Sequence, residues 1–101
     1  MESQKALEQI KDLVLSSMAS QDVQIYLFGS WARGEQKQSS DVDIAIEGKK
    51  NMASSICMLR EKLEESNVPY RVDVVDMQFA SKILLERIRQ EGILWKKFKN
   101  A

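Results

Sequence analysis

The chain has 101 residues, with 15 lysines and arginines balanced by 15 aspartates and glutamates, one cysteine and no histidine. One modest core is what this length can bury, so a single domain over 1–101 is expected, and the zero net charge argues against direct nucleic-acid binding. Missing histidine excludes Cys/His zinc sites and any triad that needs an imidazole. A lone cysteine allows no internal disulfide and fits a reducing cytoplasm. The polar start MESQKALEQIKD has no signal-peptide pattern, and no run approaches the ~18 apolar residues of a membrane span.

Residues 3–19 read as an amphipathic helix with Leu7, Ile10, Val14 and Met18 on one stripe. Residues 23–28 (VQIYLF) read as a strand that Gly29 ends. Gly29-Ser30-Trp31-Ala32-Arg33-Gly34 suggests a tight turn into a short helix. Residues 41–47 (DVDIAIE) alternate, with Val42, Ile44 and Ile46 facing one way. A Gly-Lys-Lys-Asn turn leads to a helix over 51–66, with Asn51 as its N-cap and Met52, Ile56, Leu59 and Leu63 inward. Cys57 falls in this helical pattern and is expected in the core. Pro69 separates the helix from a strand over 70–76 (YRVDVVD). A last helix over 78–91 carries Phe79, Ile83, Leu84 and Ile88 inward, with Gly92 as its C-cap. ILWKKF adds a short edge strand, and Lys96, Lys97 and Lys99 read as a solvated basic tail. The class is α/β or α+β, a mixed sheet flanked by helices.

The informative stretch is LFGSWARGEQKQSSDVDIAI, residues 27–46. Aspartate is depleted in strands, yet Asp41 and Asp43 sit among apolar residues and, being two apart, point to one face. Two carboxylates that close repel unless a cation lies between them. In YRVDVVD the alternation sets Asp73 opposite Val72 and Val74. If this strand neighbours the previous one, Asp73 joins the pair. Asp76, at the strand end, fits a cap or turn better. Three carboxylates suit hard divalent cations, and a pair of them about 3.5–4 Å apart would clamp an in-line phosphoryl displacement. Gly29 allows close backbone approach, Ser30 adds a hydroxyl donor, and the start of the short helix offers N–H groups to an anion. Arg33, about one turn on, either reaches phosphate or solvates the helix.

Gly29-Ser30, ten residues, then Asp41-Val42-Asp43 resembles the G-S-x(10)-D-x-D signature of the DNA polymerase beta-like nucleotidyltransferases. The text FGSWARGEQKQSSDVDIAIE resembles the minimal branch, which is similar to the nucleotide-binding half of kanamycin nucleotidyltransferase. The resemblance covers nearly the whole chain. It implies that Asp41, Asp43 and Asp73 are catalytic and hold two Mg²⁺ ions, with Mn²⁺ as the alternative. It implies that Gly29 and Ser30 hold the triphosphate of ATP, and that AMP moves to an acceptor hydroxyl as pyrophosphate leaves. It further implies a helical HEPN-family toxin as partner, with this chain as antitoxin modifying a tyrosine on it. At this length no acceptor domain is expected, so the acceptor side comes from a second copy or another protein. Trp31, Ile93, Leu94, Trp95 and Phe98 either contact that chain or close the core edge. Two other functions stay open: a nucleotide-binding module that neutralises its partner by occlusion, and an aminoglycoside-type enzyme working as a homodimer.

Overall fold

A computed structural model describes residues 2–100. The chain runs α1 (Glu2–Ser17), β1 (Val23–Phe28), α2 (Ser30–Arg33), β2 (Val42–Gly48), α3 (Ala53–Glu65), β3 (Val72–Asp76), a 3-10 turn (Met77–Phe79), α4 (Lys82–Glu91) and β4 (Ile93–Lys96). The strands form one mixed sheet in the order β3-β2-β1-β4. β1 is antiparallel to both β2 and β4, whereas β2 and β3 are parallel. Parallel neighbours need a crossover, and α3 supplies it.

Strand alternation divides the sheet into two unlike faces. Val23, Ile25 and Leu27 of β1, Val42, Ile44 and Ile46 of β2, and Val74 of β3 pack against Ile10 and Val14 of α1 and Ile56, Leu59 and Leu63 of α3. The other face holds a smaller cluster of Phe28, Ala45, Met77 and Ile88 beneath α4. This second face is the one that also carries Asp43 and Asp73. Among the described residues, no helix is long and apolar enough to cross a membrane.

Several expected details shift. The helix expected over 78–91 is two pieces. Asp76 caps the 3-10 turn by accepting from Gln78 N–H at 3.0 Å, and Ser81 then caps α4 through Leu84 N–H at 3.2 Å. The restart puts Leu84, Leu85 and Ile88 on the inner face. Phe79 lies before it, and Ile83 is five residues from Ile88, about 140° around the helix. Both are exposed rather than inward, at 71% and 74%. Cys57 is exposed, not core, because it follows the buried Ile56 by about 100°. Asn51 does cap α3, but from one residue further out, accepting from Ala53 N–H at 2.9 Å. Gly92 ends α4 with its N–H on Ile88 O at 2.8 Å, at an extended φ of −67° rather than a left-handed one.

Trp95 is half-buried on the main core, as a core-edge residue should be, while Ile93 and Leu94 are exposed. The lysine tail is more than solvated. Lys96 Nζ donates to Gln21 O at 3.0 Å, and Lys99 donates through N–H to Asp22 Oδ1 at 2.7 Å and through Nζ to Ser20 O at 3.1 Å. The Lys99 backbone bond is the main cause that holds the Asp22 carboxyl below its ordinary range.

Ile44, fully buried at the centre of the sheet, sets the scale of the core: Ile44→Ala should cost about 2–5 kcal/mol in urea unfolding. Ile83→Ser, on the exposed side of α4, should change stability by no more than about 0.5 kcal/mol.

Candidate functional site

The register of β1 on β2 places Phe28 opposite Asp43, so the next residue, Gly29, turns away beside the Asp43 side chain. Gly29 has φ 77° and ψ −156°. A Cβ there would stand 2.2 Å from Asp43 Oδ2. Both the backbone angle and the contact therefore require glycine. From this point the chain winds tightly. Ala32 N–H and Arg33 N–H both donate to Gly29 O, and Gly34, at φ 71°, closes α2 on Ser30 O. As the opening residues of α2, Ser30 and Trp31 have no preceding helical carbonyl to receive their N–H groups.

Trp31 is buried, with its ring edge-on to Tyr70 at 4.9 Å between centroids. Its indole N–H reaches Ser40 O at 3.4 Å, a long bond. It thus ties the turn to the residue before Asp41, and its place is in the core rather than on an open contact surface.

Asp41 lies just outside β2, whose first residue is Val42. Val42 is fully buried, and its N–H donates to Arg71 O at 2.9 Å, so the aspartates on either side of it are turned from the core. In the parallel pairing of β2 and β3, Asp43 is in register with Asp73. Asp76 pairs further along with Ile46 and is engaged in its cap. The Asp43 carboxyl is pushed up to about 6, first by burial and then by the charges of Asp73 and Asp41; Glu91 adds to the rise and Arg33 opposes it.

Three other acids therefore crowd the Asp43 carboxyl. Among the described residues, no three acidic, cysteine or histidine side chains are gathered tightly enough to hold a metal ion as they stand. The backbones of Asp43 and Asp73 are nonetheless strand neighbours, about 4.8 Å apart. The donor set, oxygen only and of net negative charge, suits a hard divalent cation such as Mg²⁺ or Mn²⁺.

Arg33 is neither free nor merely solvated. Its Nε donates to Glu35 at 2.6 Å and its Nη1 to Glu91 Oε1 at 3.0 Å. The same Glu91 oxygen accepts from Gly29 N–H at 3.2 Å. Glu91 is thus a member of this constellation that sequence reading missed. Its signal was faint: an acid in the last turn of a helix, where the dipole disfavours negative charge. Asp73 also lines a groove of about 490 Å³ that runs past Val75 and Phe79 to Leu84.

Residues 8–98 match the family described as Polymerase beta, Nucleotidyltransferase. The chain is 36% identical over 69 residues to protein adenylyltransferase MntA of Shewanella oneidensis, covering 67% of this chain and 49% of that protein. It is 34% identical over 70 residues to a Haemophilus influenzae protein named probable protein adenylyltransferase MntA, covering 68% and 61%. The match thus spans about half of the first relative's length. Among solved structures, a chain of a toxin–antitoxin crystal structure with AMP-PNP superposes with a TM-score of 0.73 at 26% identity, covering 89% of this chain and 75% of that one. A chain of the tri-AMPylated Shewanella oneidensis HEPN toxin in complex with MNT antitoxin gives 0.67 at 25% identity, covering 99% and 76%.

Two measurements test the crowding at Asp43. Because its carboxyl is raised from 3.8 to about 6, the folded state holds that proton more tightly, and the resulting stability is lost as pH rises from about 4 to 6. Without added metal, Asp43→Asn should therefore be more stable than wild type at pH 7.5, on the order of 1 kcal/mol after allowance for solvent screening, with the difference gone near pH 4. Gly29→Ala should lose about 1–3 kcal/mol from backbone strain, with a further cost from the clash, read in thermal melts.

Proposed function

The chain belongs to the Polymerase beta nucleotidyltransferase family, and on that basis we propose that it moves AMP from ATP onto a hydroxyl, a tyrosine of a helical HEPN-family partner, and thereby acts as that partner's antitoxin. The observation that carries the reading is the Asp43 carboxylate, held against the Gly29 turn and in register with Asp73. In this reading the Gly29 turn takes the triphosphate beside the Asp43 and Asp73 carboxylates, which is the juxtaposition nucleotidyl transfer needs. The protein named for adenylyl transfer in Shewanella oneidensis supports the reaction, and the AMP-PNP and HEPN complexes support the nucleotide and the partner.

In this reading Gly29 N–H, the Ser30 hydroxyl and Arg33 bind the phosphates. Two Mg²⁺ ions held by Asp41, Asp43 and Asp73 would neutralise charge on the triphosphate and lower the pKa of the acceptor hydroxyl. Asp73, the exposed member of the trio on the edge strand β3, faces the acceptor, and its carboxylate oxygen takes the hydroxyl proton as the new O–P bond forms and pyrophosphate leaves. The protein's share is positioning and charge stabilisation. The acceptor chain approaches over the groove between Asp73 and Phe79.

The test uses ATP labelled at the α-phosphate, Mg²⁺ and the partner. Label should appear on the partner. The Asp41→Asn, Asp43→Asn double variant should lower the rate by at least ~10²-fold. Full neutralisation of the partner by that double variant, at matched expression, would show that occlusion is enough and would overturn the catalytic reading.

A further inference from the structure

Glu91 stands where the phosphate donors of this reading converge. Its Oε1 accepts both the Gly29 N–H, at 3.2 Å, and Arg33 Nη1, at 3.0 Å. Nothing else about its position favours an acid. Glu91 is the last residue of α4, at the negative end of the helix dipole. Its charge also adds to the negative field already crowding Asp43. The side chain is only 21% exposed, so the carboxylate is partly withdrawn from solvent as well. It is held there by the Gly29 N–H and the guanidinium.

We propose that Glu91 is a resident anion of the phosphate turn, displaced by the triphosphate, and that it thereby sets the affinity for nucleotide. This rests on the nucleotide reading above. A carboxylate oxygen and a phosphate oxygen make the same demand on one N–H and one arginine. One N–H cannot serve both, and two anions on it repel. Until nucleotide arrives, Glu91 satisfies the Gly29 N–H and keeps Arg33 beside it. When nucleotide arrives, the side chain leaves by its own rotation from the helix end, without movement of β1. Glu35 differs: it pairs with Arg33 Nε from an exposed position, at 65%.

The experiment is a calorimetric titration of the full chain with ATP and Mg²⁺, comparing wild type, Glu91→Gln and Glu35→Gln. Glutamine keeps an acceptor oxygen and removes the charge. Glu91→Gln should bind ATP about 3- to 10-fold more tightly than wild type, with Glu35→Gln changed by less than about 2-fold and adenosine bound equally by all three. A residue that only braces the turn would give the opposite sign, so equal or weaker ATP binding by Glu91→Gln, with wild type binding normally and both folded by thermal melt, overturns the proposal. If neither protein binds ATP but both bind the HEPN partner, the nucleotide reading itself fails, and this inference with it.

Discussion

Asp43 holds its carboxylate half out of solvent, against the Cα of Gly29 and between the charges of Asp41, Asp73 and Glu91. Burial and like charge both oppose that arrangement, and Arg33 is the cation that offsets them. The rest of the region follows from keeping this unfavourable group in place. The antiparallel register of β1 and β2 brings it to the turn. The absence of a Cβ at Gly29 gives it room. The parallel partner strand brings Asp73 alongside, and α4 ends so that Glu91 meets both Gly29 and Arg33. Such locally costly chemistry is tolerable because the opposite face of the sheet carries a continuous apolar core.

The unequal faces also explain how the acids stay accessible. α1 and α3 seal one side with aliphatic residues from three strands. α4 shields only the middle of the other, around Phe28, Ala45 and Ile88. Beyond that cover, the strand positions that alternate away from the core are open to ligands. A second full helical layer would have buried the carboxylates without partners.

Period-two alternation made much of this legible. In DVDIAI and YRVDVV the apolar residues fix which face is buried, and the aspartates are left on the other. What alternation cannot supply is the neighbour of each strand. The conditional placement of Asp73 beside Asp43 became definite only with the parallel register. Helix phase was misread where the chain broke and restarted at Ser81, so Phe79 and Ile83 were put inside. Cys57 was misplaced because residue type outweighed its angle from Ile56. Glu91 was missed for a different reason: its partners lie 62 and 58 residues away, and no local pattern encodes a contact made by an otherwise ordinary surface acid.

The C-terminal latch has a practical consequence. Lys96 and Lys99 clasp the loop that leads into β1, at Gln21, Asp22 and Ser20, whereas the Gly29 turn follows the far end of that strand. The intervening six residues of β1 span roughly 17 Å. A fluorophore or affinity handle on the exposed Lys97 would therefore emerge at the opposite rim of the sheet from the carboxylates, well placed for immobilisation that leaves them unobstructed.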